Sequence, residues 1–211
     1  MIRYTEPEHA RSALITIDVQ RDTLDGEPFE IPGTSEILPK IQRLAKFFRS
    51  EGRHVIHLVR LYQPDGSNVD LCRRELVETG EKLLLAGSPG SQVAAPLLPS
   101  PDTKLDTELL LEGDTQEIGP SEWIIYKPRW GAFYQTSLEA LLRRLRVTTL
   151  VFTGCNFPNC PRTSIYEASE RDFRIVAIDD AISGLYDRGR DELNAIGVLV
   201  MDTEHYLNAA H

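Results

Sequence analysis

The sequence predicts an α/β protein with three layers (α/β/α), in which helices cover both faces of a parallel sheet of about six strands. Two observations lead to this class. Short apolar runs rich in β-branched residues alternate with segments of helical period, and strands that are apolar throughout are typical of a parallel sheet buried on both faces. The length of 211 residues favours one domain, 1–211, whose core is large enough to be stable without disulfide bonds.

Each predicted strand is a short run of apolar residues between polar segments. The strands are 13–17, 54–59, 123–126, 149–153, 174–178 and 198–201. The helices between them show a different pattern, in which apolar residues recur every three or four positions along one face. These helices are 36–49, 138–145, 164–171 and 188–196.

Residues 61–121 interrupt this alternation. The segment is rich in Pro, Gly, Ser and acidic residues, and within it only 70–78 is predicted as a helix. We interpret it as an insertion over the sheet. We expect part of it to act as a lid or as an oligomer contact, because long loops in compact domains are usually functional or disordered.

The net charge, the hydropathy and the cysteine content indicate which partners and which cellular compartment to expect. The formal net charge is −9, so we expect no nucleic-acid partner, because proteins that bind nucleic acids carry a basic excess. No apolar run is long enough to span a membrane, and no membrane partner is expected. Three cysteines, an odd number, suit a reducing compartment better than a disulfide scaffold. We therefore expect a soluble, cytoplasmic protein that acts on a small-molecule substrate.

Polar residues that directly follow the predicted strands are the first candidates for a site. In open α/β sheets the ligand crevice lies at the carboxyl ends of the strands, where the strand order reverses. Asp18 and Gln20 follow the first strand, Arg60 follows the second, Lys127 follows the third, and the segment 154–160 follows the fourth.

Cys160 is the candidate nucleophile. It precedes Pro161 at the start of a helical segment, since proline is favoured at the first helical position. Unpaired amides and the helix dipole at that end are expected to lower the pKa of the thiol. The alternative is a small buried hydrophobic residue, the commonest role of a cysteine. Cys155 and Cys160 do not have the spacing of a zinc or redox site.

Asp18 and Lys127 are the candidate partners of this cysteine. Asp18 is interpreted either as a general base or as a cap of the following loop. Lys127 is interpreted either as a cation that holds the base and the thiolate or as a solvated surface lysine. No histidine directly follows a strand, so the sequence favours a carboxylate-assisted cysteine over a Cys-His pair.

Three motifs, in the right order, resemble the isochorismatase-like cysteine hydrolases. This superfamily includes nicotinamidases, N-carbamoylsarcosine amidases, ureidoacrylate and biuret amidohydrolases, and isochorismatases. ALITIDVQRD resembles its first strand with Asp-x-Gln, and YKPRWGAFYQTSLEALLRRL resembles its K-x-R-x-S-A-F-x-x-T-x-L segment. TLVFTGCNFPNCPRTSIYEASERDFRIVAIDDAISG is similar to the stretch that carries its nucleophile, six residues after a glycine.

The resemblance implies a catalytic triad of Asp18 as base, Lys127 as positioning cation and Cys160 as nucleophile. It implies cleavage of a C–N bond in a small amide or carbamoyl compound through a thioester. It also implies a cis peptide bond between Cys155 and Asn156, and an oxyanion hole formed by the backbone N–H groups of Asn156 and Cys160. Members commonly form dimers or tetramers, so we expect a homo-oligomer.

The sequence departs from the family pattern in two respects, the residues expected around the substrate pocket and the histidines that bind a metal in nicotinamidase-type members. Phe157, Gly131 and Pro161 replace the usual Thr, Ser and Val. Nicotinamidase-type members bind a metal through histidines after the second strand, and RLYQPDGSNVDLCRRE contains none. We therefore expect no metal and no other cofactor, and nicotinamide is an unfavoured substrate.

Substrate contacts are expected from residues near the strand ends and from the insertion. Gln20 belongs to the first motif. Tyr62, Trp130 and Phe133 are candidates for an apolar wall, and Arg60, Arg129 and Arg162 for binding an anionic group. Two alternatives stay open: cleavage of a vinyl ether by the aspartate, as isochorismatases do, and a non-catalytic protein that has kept the fold.

Overall fold

A seven-stranded sheet in the order β3-β4-β2-β1-β5-β6-β7 forms the centre of the computed structural model, which describes residues 4–210. The strands are β1 (Ser12–Ile17), β2 (His54–Val59), β3 (Thr115–Gly119), β4 (Glu122–Tyr126), β5 (Thr149–Gly154), β6 (Arg174–Ile182) and β7 (Leu199–Met201). Neighbouring strands are parallel except β3 and β4, which are antiparallel. The predicted α/β class with a parallel sheet is confirmed.

Helices cover both faces of this sheet. They are α1 (Thr34–Ser50), α2 (Arg74–Glu78), α3 (Thr107–Leu111), α4 (Leu138–Arg144), α5 (Cys160–Ser169), α6 (Asp187–Ala195) and α7 (Thr203–Ala209). Apolar residues of α4, α5 and α6 form one core cluster with Ile15 and Ile17 of β1. Leu14 of the same strand belongs to the other cluster, with α1 and α7. Successive strand side chains point to opposite faces, and because helices cover both faces every residue of β1 is buried.

Two parts of the chain differ from the sequence-based prediction. The insertion 61–121 contributes β3, which pairs with β4 at the edge of the sheet. An edge strand is less buried than a central strand and needs no apolar run. Because β3 contains Gln116 and Glu117, the search for apolar runs did not detect this strand. The residues after the last predicted strand, 198–201, form α7, whose Tyr206 is fully buried and stacks on Phe48 at 6.0 Å between ring centroids.

The strand order reverses at β1. The chain runs from β1 to β2 and β4 on one side, and returns to the other side of β1 for β5. Loops that leave β1 and β5 therefore diverge and open a crevice at their carboxyl ends. Within residues 4–210, no helix combines the length and the apolar character needed to cross a bilayer.

Candidate active site

Asp18, Lys127 and Cys160 lie together at the carboxyl end of the sheet. Asp18 follows β1 and Lys127 follows β4, while Cys160 is the first residue of α5 after the β5 connector. The three residues are 5%, 0% and 4% exposed. Lys127 Nζ lies 2.9 Å from Asp18 Oδ2. The sheet thus brings three residues that are far apart in the sequence to one buried place.

The backbone of Asp18 is held in an uncommon conformation. Its φ of +53° lies in the left-handed region, which costs a non-glycine residue about 1 kcal/mol or more. Its carbonyl oxygen accepts hydrogen bonds from the Gln20 N–H at 3.0 Å, the Thr23 hydroxyl at 3.0 Å and the Cys155 thiol at 3.0 Å. These contacts hold the turn that aims the carboxylate at the crevice.

The carboxylate of Asp18 has one engaged oxygen and one free oxygen. Oδ2 is paired with Lys127, whose Nζ also donates to the Arg129 carbonyl at 3.3 Å. Oδ1 is buried and has no hydrogen-bond partner within residues 4–210. A free carboxylate oxygen in this position is suited to accept a proton.

The thiol of Cys160 is protonated at neutral pH. Burial, and next the negative charge of Asp18, raise its pKa to about 11, against the charges of Lys127 and Arg60, which lower it. The expectation that the helix N-terminus lowers the pKa of Cys160 is therefore wrong. The free energy needed to remove the thiolate from water is larger than the stabilisation that the nearby cations provide.

Cys155 is the other buried cysteine near the site. Its thiol donates to the backbone of Asp18, and burial raises its pKa to about 12. It supports the β1 turn and presents no thiolate near neutral pH.

The connector between β5 and α5 carries two free backbone donors. Gly154 has a φ of +113°, and a Cβ at this position would overlap the carbonyl oxygen of Ile17, so only glycine lets the connector start so close to β1. The peptide bond between Cys155 and Asn156 is cis. Within the described chain, the N–H groups of Asn156 and Cys160 donate to no protein acceptor.

Gln20 performs a different task from the substrate contact that we expected. Its Oε1 accepts from the Arg60 N–H at 2.8 Å, and its Nε2 donates to the carbonyl oxygens of Arg60 at 2.9 Å and Ser91 at 2.5 Å. The side chain is fully buried. Through these hydrogen bonds the Gln20 side chain connects the ends of β1 and β2 with the segment around Ser91.

Arg60, Arg73 and Arg129 surround Asp70, and we call these three residues the arginine cluster. Arg60 Nη2 donates to Asp70 Oδ2 at 2.5 Å, and the Tyr62 hydroxyl donates to the same oxygen at 2.7 Å. Arg73 Nη1 donates to the Tyr62 hydroxyl at 2.9 Å and lies 3.4 Å from Asp70 Oδ2. Burial opposes ionisation of Asp70, but the charge of Arg60 and the hydrogen bond from Tyr62 hold its pKa below the ordinary value.

The sequence reasoning missed Arg73 and the role of Asp70. Tyr62 is 2% exposed, and its hydroxyl donates a hydrogen bond to Asp70. It therefore stabilises the cluster and does not form the apolar wall of a substrate pocket for which it was a candidate. The spacing of Asp70 and Arg73 was the available signal, because charges three positions apart in a predicted helix are neighbours.

Two other expected contacts lie elsewhere. Phe133 is buried in the core against Phe173, with ring centroids 6.0 Å apart, and the Arg171 guanidinium lies 4.9 Å from its ring. Arg162 Nη2 is paired with Glu192 of α6 at 2.9 Å. The apolar wall therefore does not include Phe133, and Arg162 already has a carboxylate partner.

A groove of about 550 Å³ runs beside α5. It is lined by 70–72, 129–131, Tyr134, Thr163 and Glu167, and these residues include Arg129 and Trp130, whose contact with a substrate stays a prediction. Thr163 and Glu167 follow Cys160 by three and seven positions and share its helix face. The groove therefore lies along the part of α5 that follows Cys160, and the residues that line it within 4–210 do not include Asp18, Lys127 or Cys160.

Gly131 explains one departure from the family pattern. A side chain at this position would overlap the carboxylate of Glu167, which accepts a hydrogen bond from the Phe133 N–H at 2.8 Å. Glycine lets α5 present Glu167 to the groove. Across the described part of the chain, no three His, Cys, Asp or Glu side chains are grouped closely enough to hold a metal ion.

Comparison with known proteins identifies relatives along most of the chain. The isochorismatase domain model matches residues 12–204. A probable inactive nicotinamidase from Arabidopsis thaliana is 29% identical over 174 residues, which cover 81% of this chain and 79% of the relative. A ureidoacrylate amidohydrolase from Methylobacterium radiotolerans is 28% identical over 188 residues, covering 82% and 67%. An N-carbamoylsarcosine amidase from Arthrobacter is 28% identical over 180 residues, covering 83% and 62%.

Solved structures show the same fold. An isochorismatase family protein from Desulfovibrio vulgaris superposes with a TM-score of 0.78 and 29% identity, over 94% of this chain and 97% of that chain. A cysteine hydrolase from Pseudomonas syringae has a TM-score of 0.76 and 22% identity, over 97% and 96%.

Proposed function

Because this chain belongs to the isochorismatase family, we propose that it is a cysteine hydrolase that cleaves a C–N bond of a small amide or carbamoyl compound through a thioester. The observation that carries the proposal is the buried contact between Lys127 and Asp18 beside Cys160. Two curated relatives are named as amidohydrolases of carbamoyl compounds, ureidoacrylate amidohydrolase and N-carbamoylsarcosine amidase.

The first step is attack of the thiol on the substrate carbonyl. Since the thiol is neutral at pH 7, a base must take its proton as the C–S bond forms. Asp18 is proposed as that base, through its unpartnered Oδ1. Lys127 neutralises the carboxylate and keeps Oδ2 in place.

The tetrahedral intermediate places negative charge on the former carbonyl oxygen. The N–H groups of Asn156 and Cys160 are the proposed donors to this oxygen, since they have no other acceptor in the described chain. Protonated Asp18 then gives its proton to the leaving nitrogen, the C–N bond breaks, and a thioester remains on Cys160. Water that loses a proton to Asp18 hydrolyses the thioester and restores the thiol.

Ammonia release from a panel of N-carbamoyl amino acids and primary amides tests this proposal. We expect Cys160→Ala to abolish turnover and Asp18→Asn to reduce it by about 10³-fold or more, because each group takes part in bond making. A substrate that accumulates as an adduct on the Cys160 peptide would identify the thioester by mass spectrometry.

Asp172→Asn is the matched control for Asp18→Asn. Asp172 also has a left-handed backbone, with a φ of +58°, but it lies between α5 and β6, outside the site. It should retain normal turnover. Full activity of Cys160→Ala would contradict the mechanism, and on a vinyl ether it would favour the aspartate-only reaction. A wild-type protein that turns over no compound would support a non-catalytic role, as the name of the Arabidopsis relative suggests for that protein.

A further inference from the structure

A cavity of about 330 Å³ lies at the amino ends of the strands, at the edge of the sheet opposite the candidate active site. It is lined by 10–12, 51–54 and 145–147, the segments that lead into β1, β2 and β5. These strands are neighbours in the sheet and run parallel, so their first residues lie side by side. We call this space the amino-end cavity. The proposed mechanism uses none of its residues.

The lining of the amino-end cavity carries more positive than negative charge. Its charged side chains at neutral pH are three arginines and one glutamate, Arg11, Arg53, Arg146 and Glu51. Glu8 pairs with Arg11 but also with Arg174 outside the cavity, so a positive charge remains when Glu8 is counted. The chain as a whole has a formal net charge of −9. A local positive surplus in so acidic a protein favours an anionic ligand.

Two side chains of the lining have a buried nitrogen without a partner. The Nη1 of Arg53 and the Nδ1 of His54 are buried, and neither forms a hydrogen bond within residues 4–210. The other end of the Arg53 guanidinium is held, because Nη2 donates to the carbonyl of Ala210 at 2.7 Å. Buried polar groups in folded proteins are nearly always hydrogen-bonded. A ligand with acceptor oxygens would satisfy both nitrogens.

Arg146 adds a cation that no protein group neutralises. It follows α4 and is exposed, and it forms neither an ion pair nor a side-chain hydrogen bond with the described part of the chain. The cavity therefore combines an exposed, unpaired cation with two buried, unpaired nitrogens. An anion can enter from water and make contacts that the protein alone does not supply.

We propose that the amino-end cavity binds a tetrahedral oxyanion of the phosphate class, held by Arg53, His54 and Arg146. The site is separate from the proposed active site and does not depend on the proposed function. The three side chains belong to segments that lead into different strands, so they approach a ligand from different directions. A tetrahedral anion has oxygens in all of these directions, whereas the two oxygens of a carboxylate lie in one plane. Guanidinium groups are well matched to such oxygens.

Calorimetric titration of the full-length protein tests the inference. The probes are sodium sulfate and sodium phosphate, with sodium acetate at the same ionic strength as the comparison. We expect both tetrahedral anions to bind with a Kd of about 1 mM or lower, and acetate at least about tenfold more weakly. Arg146→Gln should weaken sulfate binding by about fivefold or more, because it removes a charged donor. Arg146→Lys should keep part of the affinity, because lysine retains the charge.

Arg144→Gln is the matched control for Arg146→Gln. Arg144 is an exposed arginine at the same end of α4 but does not line the cavity. Arg129→Gln is the control for the arginine cluster. Both variants should bind sulfate within about twofold of the wild type, because charges outside the cavity are screened. If sulfate does not bind, if acetate binds as tightly, or if Arg144→Gln weakens binding as much as Arg146→Gln, the inference is wrong.

The imidazole of His54 locates the bound anion. Burial lowers the pKa of His54 below the ordinary 6.5. The Trp123 ring of β4 packs against the imidazole, with centroids 5.5 Å apart, and the charged groups around it are those of the lining. A bound oxyanion stabilises the imidazolium, so the pKa of His54 in an NMR titration should rise when sulfate is added.

Two controls accompany the NMR titration. Sulfate keeps its charge near neutral pH, so a change in the titration curve belongs to the histidine, and His54→Gln assigns the resonance. His205 is exposed and paired with Asp202 outside the cavity, and its pKa should not change. If the pKa of His54 is the same with and without saturating sulfate, the anion binds elsewhere and the inference is overturned.

Discussion

At the scale of single residues, the main finding is that burial sets the chemistry of Cys160. A thiol near a helix N-terminus is stabilised as thiolate when it is accessible to water. Cys160 is 4% exposed and faces the carboxylate of Asp18. The pair is therefore suited to transfer a proton from the sulfur of Cys160 to the carboxylate of Asp18 as the thiol attacks. The mechanism does not require a thiolate in the resting protein.

The pH dependence of iodoacetamide labelling checks this electrostatic picture. Labelling of Cys160 should rise with pH to a midpoint near the thiol pKa of about 11. Asp18→Asn should shift the midpoint downward, because it removes a negative charge that opposes ionisation. Lys127→Met should shift it upward, because it removes a stabilising cation.

Peptide mass spectrometry resolves the cysteines in one digest. Exposed Cys72 reports that the reagent is active throughout the pH range. If the midpoint of the Cys160 labelling curve lies below 9.0, the ordinary pKa of a thiol, the protein stabilises the thiolate. That result would contradict a pKa raised by burial.

At the scale of elements, the connector before α5 is fixed by its packing against α6. Phe157 is fully buried and contacts the Tyr186 ring edge-on, with centroids 5.4 Å apart. Its ring lies against Gly189 of α6, where an added Cβ would overlap Phe157 Cε1 and lie 3.1 Å from Cζ. Phe157 replaces a smaller family residue, and the glycine in α6 makes room for it.

Gly189→Ala should therefore destabilise the protein, although alanine normally favours a helix by about 1 kcal/mol. We expect the free energy of unfolding to fall by about 1–3 kcal/mol, because the Phe157 ring must move within a packed core. Urea unfolding measures the change.

Phe157→Leu provides the test of cause. A shorter side chain leaves room for the methyl group, so Gly189→Ala should cost little in that background. A cost that is the same in both backgrounds would show that Phe157 and Gly189 do not interact, since residues in contact couple in such a cycle.

At the scale of the whole molecule, a buried polar network joins three strands to α1. Glu122 of β4 accepts from Arg49 of α1, with Nε to Oε2 at 2.7 Å, and lies 2.7 Å from His57 Nε2 of β2. The Nδ1 of His57 lies 2.8 Å from the Thr16 hydroxyl of β1. His57 is therefore occupied on both ring nitrogens and has a structural role.

Glu122→Gln should lower stability at neutral pH by about 3 kcal/mol, because it removes the charge that Arg49 is paired with in a buried place. Burial opposes ionisation of Glu122, but the hydrogen bonds from Arg49 and His57 hold its pKa below the ordinary 4.5. The ionised carboxylate therefore stabilises the fold above the pKa of the unfolded chain, and this contribution is lost as the pH falls through the lower folded value.

Urea unfolding across pH measures this contribution. The difference between the wild type and Glu122→Gln should be largest near pH 7 and should shrink below about pH 4.5. Glu139→Gln is the control, since Glu139 forms exposed pairs with Arg143 and Arg171, and should change stability by less than about 1 kcal/mol. A difference that does not depend on pH would point to packing as the cause.

Assembly is the remaining feature at this scale. A homo-oligomer of two or four chains and a cytoplasmic location stay predictions from the family resemblance and the cysteine content. Light scattering on the purified chain determines the number of subunits.

The sequence by itself determined the α/β class, most of the strands and helices, and the positions of Asp18, Lys127 and Cys160 at strand or helix ends. These features are local, because an apolar run and the polar residue that ends it are neighbours in the chain. The edge strand β3 and helix α7 escaped the prediction, because their residues are stabilised by pairing or packing with distant segments.

Only the tertiary structure decided what the candidate side chains do. It joined Asp18 to Lys127 and left one Asp18 oxygen free. It raised the pKa of Cys160, and it placed Phe133 in the core. It also gathered Arg60, Arg73 and Arg129 around Asp70. The physical reason is that desolvation and Coulomb energy depend on burial and on distances between side chains, and the fold sets both by joining segments that are far apart in the sequence.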